Sequence, residues 1–110
     1  LIHLQDIDLN ANSFRTLPAG IFAGLLELRG IILFDNQLEN LPETIFADLA
    51  QLESLSLEGN LLRRLPPGIF AGLIHLRRLN LGENGMSEQE QDRIQEELPH
   101  TIVSFDEFEE

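Results

Sequence analysis

The chain lacks cysteine, tryptophan, tyrosine and lysine, and these absences exclude several kinds of site. Without cysteine there is neither a disulfide framework nor a thiolate metal site, and nothing indicates the redox compartment. Without tryptophan or tyrosine the usual aromatic platforms for sugars are missing, so carbohydrate binding is a weaker alternative. A cysteine nucleophile, a glycine-rich phosphate loop and an HExxH pattern are also absent. We therefore expect no enzyme and no cofactor.

Long apolar runs are missing as well. The longest span only a few residues, and the first residues show no basic segment followed by an apolar one, so the sequence predicts neither membrane insertion nor a targeting signal in this stretch. The chain starts at Leu1 rather than at a methionine. We therefore expect further residues upstream in the natural protein.

The charge is strongly acidic and unevenly placed. The formal net charge is −12, and residues 83–110 hold ten acids against a single base, Arg93. Such a field repels phosphate groups, which disfavours nucleic acid and anionic membranes as partners. The charge favours a basic or neutral partner.

What the chain does contain is a repeat with a period of 24 residues, which indicates a stack of similar coils. Apolar residues recur in register at Leu4, Leu28, Leu52 and Leu76, at Ile7, Ile31, Leu55 and Leu79, and at Leu9, Leu33, Leu57 and Leu81. Asn12, Asn36, Asn60 and Asn84 follow in the same register. The repeats run over about 4–27, 28–51, 52–75 and 76–99, followed by a terminal strand at 101–105.

Each repeat predicts one short strand and one return segment. Alternation of apolar and polar residues places the leucines inward on a strand, and the Leu-Pro pair that follows turns the chain away. Because one coil cannot bury its leucines alone, neighbouring coils stack, and their strands align in parallel. Phe22, Phe46 and Phe70 should then form a buried stack. A buried amide both donates and accepts, so we expect the repeated asparagines to satisfy backbone groups rather than to bind a ligand.

These residues resemble the leucine-rich-repeat family, in its 24-residue type. The resemblance implies an α/β solenoid with a curved parallel sheet of about five strands on the concave face. It also implies a convex side of turns and short helical segments, closed by a C-terminal capping helix and strand.

The fourth repeat departs from the pattern after Asn84, where a helix is predicted. Ser87 and Glu90 have the spacing of a capping box, Ile94 and Leu98 share one helix face, and Pro99 ends the element. The acidic tail, residues 106–110, should be exposed.

This ending is similar to that of bacterial leucine-rich-repeat proteins, which favours a secreted or cell-surface bacterial protein. A designed repeat protein is the alternative. At the other end, residues 4–9 should present an uncapped strand edge, through which we expect self-association unless an upstream repeat covers it.

Function is predicted to be recognition of a protein partner on the concave sheet face. Ile32 and Phe34 are adjacent outward-facing apolar residues, the composition of an interface anchor. The predicted partner-binding residues are Asp8, Ile32, Phe34, Ser56, Glu58, Arg78 and Asn80. At the strand entrances, Arg29, Glu53 and Arg77 should form cross-strand charge pairs.

Four alternatives remain open beside this reading. The chain could be a structural spacer in a longer repeat array, or a carbohydrate-binding surface. It could bind calcium through the strand-exit acids Asp35, Glu58, Glu83, Asp106 and Glu107. Asp6 and Asp8 lie on one predicted strand with the same facing, so a two-carboxylate hydrolase is the enzymatic alternative. Histidine catalysis is not, because His3 and His75 lie three coils apart and cannot share a metal or a substrate.

Overall fold

The computed structural model describes residues 4–105 and shows a single parallel sheet of five strands, each three residues long. The strands are β1 (Asp6–Asp8), β2 (Gly30–Ile32), β3 (Ser54–Ser56), β4 (Arg78–Asn80) and β5 (Ile102–Ser104). They pair in sequence order, and every paired residue lies 24 positions from its partner. The repeat therefore sets the sheet register directly, and the predicted solenoid is confirmed. Asp106 and Glu107, with the rest of the acidic tail, and also His3, lie outside the described residues.

The core fills the space behind the sheet. The central residues of the three inner strands, Ile31, Leu55 and Leu79, are buried. Ile7 in β1 and Val103 in β5 are only half-buried, because among the described residues each of these strands has a neighbouring coil on one side only. The core therefore gains its full packing only where a coil has neighbours on both sides.

The aromatic stack is confirmed. Phe22 and Phe46 have ring centroids 6.3 Å apart and lie 13° from parallel, and Phe46 and Phe70 are 6.0 Å apart at 16°. All three side chains are buried. Their 24-residue spacing brings each ring onto the next, which is a favourable arrangement at these separations.

The family resemblance implies turns and short helical segments on the convex side, and within residues 4–86 the structure forms turns there. Its backbone hydrogen bonds join residues three apart, as in Ile45 N to Pro42 O at 3.2 Å and Leu49 N to Phe46 O at 3.1 Å. Within residues 4–105 the only helix is α1 (Glu88–Glu97). No helix in this part of the chain is long and apolar enough to cross a membrane.

Three of the four repeated asparagines tie neighbouring coils together. Asn36, Asn60 and Asn84 are buried, and each donates through Nδ2 to a carbonyl of its own coil and to one of the preceding coil. Asn12 is the exception, because the described residues contain no earlier coil to receive its amide. It is exposed and donates to the carbonyl of Asn10, so the prediction of a buried amide is wrong there.

Helix α1 covers the last coil, and one detail of its start differs from the prediction. Ser87 accepts a hydrogen bond from the backbone N–H of Glu90 at 3.2 Å, as a capping box requires. The carboxylate of Glu90 does not return the bond. It binds Arg93 instead and accepts from the backbone N–H of Leu65 at 3.0 Å, while Arg93 donates to the Leu65 carbonyl at 2.9 Å. The pair therefore fastens the helix to the third coil.

This pair has a clear electrostatic consequence. The hydrogen bond from Arg93 is the main cause that lowers the pKa of Glu90, and the same bond raises the pKa of Arg93. Arg93 also reaches Glu97, with Nη1 2.7 Å from Oε2. The apolar face of the helix seats Ile94 and Leu98 in the core, as predicted.

Candidate partner-binding face

The outward side chains of the five strands form one continuous surface, here called the sheet face. In β2, β3 and β4 the middle residue is buried and the residues on either side are exposed or half-buried. This alternation places five of the predicted binding residues on the strands and facing outward: Asp8, Ile32, Ser56, Arg78 and Asn80. Phe34 and Glu58 lie two residues beyond the ends of β2 and β3.

Ile32 and Phe34 are the two large apolar residues that the second repeat places on this face. Their exposed fractions are 41% and 37%, so neither is part of the core. The equivalent outward positions in the other repeats carry polar residues or glycine, for example Asp8, Ser56 and Asn80 beside Ile32. Two exposed apolar side chains two residues apart, one on β2 and one just beyond its end, form with their polar surroundings the kind of patch that marks an interaction site.

Two shallow clefts divide the sheet face. The first has a volume of about 340 Å³ and brings Asp6, Asp8 and Ile32 together with Gly30. A β-carbon at Gly30 would lie only 2.5 Å from Oδ1 of Asp6. The glycine therefore lets the Asp6 carboxylate lean across the sheet beside the apolar patch.

The second cleft has a volume of about 280 Å³ and lies over the C-terminal half of the sheet. It brings together Ser56, Arg78 and Asn80 with Ser104 and Ile102. Ile102 has an exposed fraction of 66%, the highest of any apolar residue on the sheet face, and was not among the predicted binding residues. Its outward direction follows from the inward position of Val103, so the alternation of β5 carries the signal.

Some of the predicted contact residues also hold the face in shape. Nδ2 of Asn80 donates to Oε1 of Glu58 at 2.9 Å, and Oδ1 of Asn80 accepts from the backbone N–H of Gly82 at 2.9 Å. Oδ1 of Asp8 accepts in the same way from the N–H of Asn10 at 3.0 Å. These side chains are thus already oriented by the protein.

The rim charges follow the prediction in part. Arg29 Nη1 and Glu53 Oε2 are 3.5 Å apart, but both side chains are about half exposed, so the pair adds little stability. Within the described part of the chain Arg77 forms no ion pair with Glu53, and that half of the prediction is wrong. Of the acids proposed for calcium, Asp35, Glu58 and Glu83 lie within residues 4–105, where no group of three candidate ligands converges. Asp106 and Glu107 lie outside the described residues, so the calcium alternative stays a prediction.

Comparisons with protein families and with solved structures agree with the solenoid of parallel strands described above. The family model described as leucine rich repeat matches residues 2–62 and 51–95. No curated protein matches the chain. A leucine-rich-repeat protein of Leptospira interrogans has a similar structure, with a TM-score of 0.85 and 35% identity over 93% of this chain and 25% of that one.

Two solved complexes also contain similar chains. One is the Toll–Spatzle complex of Drosophila, with a TM-score of 0.71 and 34% identity over 76% of this chain and 11% of that one. The other is the octameric complex of Latrophilin 3, Unc5D and FLRT2, with a TM-score of 0.77 and 29% identity over 96% of this chain and 32% of that one. The chain thus spans between about a tenth and a third of the length of these proteins.

Proposed function

Because the chain belongs to the leucine-rich-repeat family, we propose that it is a non-enzymatic recognition module whose protein partner docks on the sheet face. The observation that carries the proposal is the exposed pair Ile32 and Phe34, which the second repeat places on that face. The similar chains found in complexes between proteins support the same class of function.

The contacts around the apolar pair define what the partner must offer. An apolar side chain of the partner covers Ile32 and Phe34. Polar groups of the partner meet Asp8, Ser56, Arg78 and the Glu58–Asn80 pair on the same face. The net charge of −12 steers basic or neutral partners to this surface more readily than acidic ones. A bacterial source, with secretion or display at the cell surface, forms part of the proposal and is tested by fractionating the source cells.

The test is a binding titration with a partner identified by capture and then purified. Ile32→Ala combined with Phe34→Ala should weaken binding by about thirtyfold, because truncating a central anchor costs about 2 kcal/mol or more. Glu43→Ala on the exposed convex side is the matched control and should leave the affinity unchanged. Equal affinities for both variants, with melting temperatures like that of the parent chain, would place the binding site elsewhere.

A further inference from the structure

A cleft away from the sheet face lies on the flank of the solenoid, between the buried asparagines and the Leu-Pro turns. Its volume is about 430 Å³, and Glu39, Asn40, Leu61, Arg63 and Arg64 line it. These residues come from the second and third coils, and none of them belongs to the predicted partner-binding set. We call this feature the flank cleft.

Leu61 is the apolar wall of the flank cleft, and the core does not require it. The equivalent positions in the other repeats hold Ser13, Gln37 and Gly85. Leu62, the next residue, supplies the buried leucine of this coil, whereas half of Leu61 is exposed. A leucine therefore stands at this position in the third repeat alone, and its side chain faces the cleft.

Arg63 and Arg64 supply positive charge in a protein with 19 acids and seven arginines. Among residues 4–105 neither forms an ion pair, whereas Arg29 and Arg93 do. The Glu90 carboxylate binds Arg93 and the N–H of Leu65 and forms no hydrogen bond with Arg64. The pKa of Glu90 is accordingly lowered first by the bond from Arg93, and Arg64 lowers it only through space.

The cleft also has space for a ligand beside Arg63. A β-carbon at Gly85 in the next coil would lie 3.9 Å from Nε of Arg63, and glycine keeps that space free of a side chain. The amide of Asn40 forms no hydrogen bond within the described residues and can both donate to and accept from a ligand backbone.

We propose that the flank cleft is a second interaction surface, which binds an extended protein segment through one carboxylate and one neighbouring apolar side chain. The carboxylate pairs with the guanidinium groups of Arg63 and Arg64, whose planar donors match carboxylate geometry. The apolar side chain lies on Leu61, and Asn40 bonds the backbone of the segment.

The charge of the lining decides between a single carboxylate and a polyanion. Two arginines and Glu39 leave the cleft with one net positive charge, which one carboxylate neutralises. A phosphate group or a nucleic acid brings more negative charge and meets both Glu39 and the acidic remainder of the protein. Glu39 therefore acts as the element that rejects highly charged ligands.

The experiment uses nuclear magnetic resonance of the full isotope-labelled chain with a blocked tetrapeptide, acetyl-Gly-Leu-Asp-Gly-amide, at millimolar concentration. The peptide should shift the signals of Leu61, Arg63 and Arg64. The same peptide with Asn in place of Asp should bind at least about tenfold more weakly, because it loses the charge-assisted hydrogen bonds. Equal binding of both peptides, or no shift with either, overturns the proposal.

Matched variants separate this site from the sheet face and from a simple loss of folding. Arg63→Gln should weaken binding of the Asp peptide about tenfold, whereas Arg15→Gln at the equivalent position of the first repeat should not change it. Leu61→Gln reproduces the residue of the second repeat, so it should fold normally and bind more weakly, and Glu39→Gln should bind more tightly. Phe34→Ala should have no effect, because it alters only the sheet face.

An anion arm of the experiment tests the choice of ligand. Inorganic phosphate should bind more weakly than the Asp peptide and should not depend on Leu61. If phosphate binds more tightly and loses its affinity in Arg63→Gln, the flank cleft is an anion site and the assignment to a protein segment is wrong. An effect of Arg15→Gln as large as that of Arg63→Gln would also overturn the proposal.

Discussion

Replacement of Asn60 by alanine should unfold the stack at a markedly lower temperature, although the residue binds no ligand. Oδ1 of Asn60 accepts from the backbone N–H of Leu38 at 3.1 Å, and Nδ2 donates to the carbonyls of Leu33 and Leu57 at 2.9 Å each. The side chain is buried. The substitution therefore removes three buried hydrogen bonds, and the two that involve Leu38 and Leu33 join neighbouring coils. It also removes a longer, part-buried bond to the carbonyl of Glu58 at 3.4 Å.

The three bonds do not contribute equally. The carbonyls of Leu33 and Leu57 each keep a second donor, from Asn36 and Asn84 respectively. Loss of the Asn60 bond to each carbonyl therefore lowers the free energy of unfolding by only about 0.5–1 kcal/mol. The N–H of Leu38 has no other acceptor among the described residues, and leaving it buried and unpaired costs about 1–3 kcal/mol. The free energy of unfolding should fall by about 3 kcal/mol, which lowers the melting temperature by about 10 °C or more.

The control is Asn12→Ala, the same substitution at the same repeat position. Asn12 is exposed, and within residues 4–105 its side chain donates only to the carbonyl of Asn10, so the loss should be below about 0.5 kcal/mol. Thermal and urea unfolding, followed by circular dichroism, measure both variants. Similar losses for the two would refute the reasoning, because the structure assigns coil-to-coil bonds to one side chain and not to the other.

Two further substitutions test the backbone and the cap. Ala11 has a φ of 55°, a left-handed conformation that costs alanine about 1–2 kcal/mol and glycine almost nothing. After the entropic cost of glycine, Ala11→Gly should raise the free energy of unfolding by about 0.5–1 kcal/mol, whereas Ala71→Gly should lower it. Glu90→Gln should cost about 1–2 kcal/mol at neutral pH by breaking the bond to Arg93. Because the pKa of Glu90 is lowered in the folded chain, its contribution is present above the ordinary value of 4.5 and is lost as the pH falls below it. The difference between Glu90→Gln and the parent chain in urea unfolding should shrink below that pH, while exposed Glu96→Gln should match the parent throughout.

The strands and the aromatic stack could be predicted because a strict repeat gives every coil the same neighbours. Ile31, Leu55 and Leu79 pair in register for this reason, and so do the stacked phenylalanines. The prediction failed at Asn12, whose neighbours differ from those of its equivalents. Leu4 has an exposed fraction of 44% although Leu28 is fully buried, as expected for an uncovered first coil, because an inward position becomes part of the core only when another coil covers it.

Backbone conformation at the strand exits was also invisible in the sequence. Ala11, Asp35, Gly59 and Glu83 occupy one repeat position and all have positive φ, yet only one of them is glycine. The stacking forces this conformation in every coil, and hydrogen bonds such as Ala11 N to Phe34 O at 2.9 Å hold it. Residue type alone, which favours glycine there, marks one coil out of four.

The sequence also failed to predict which hydrogen-bond partner a side chain selects when several are within reach. Glu90 has the spacing of a capping box, but Arg93 and the N–H of Leu65 offer its carboxylate a charged donor and a buried one. A charged hydrogen bond to Arg93 and a buried one to Leu65 stabilise the Glu90 carboxylate more than a bond to the solvent-exposed N–H of Ser87 would. Sequence spacing identifies the partners that are near along the helix. It does not identify Leu65, which lies 25 residues earlier and is brought close only by the stacking of the coils.

The hydrogen bonds that hold the coils together also hold the apolar pair of the sheet face. The carbonyl of Leu33, between Ile32 and Phe34, accepts from Asn60 at 2.9 Å, and the N–H of Phe34 donates to Oδ1 of Asn10 at 2.8 Å. Both bonds hold the peptide group that joins Leu33 to Phe34, so the backbone between the two apolar side chains is already fixed in the free protein. Binding then loses less conformational entropy than it would on a mobile loop, so more of the contact energy becomes affinity. In the interface proposed above, two side chains of modest size would suffice as an anchor because the asparagine bonds of the neighbouring coils have already ordered their backbone.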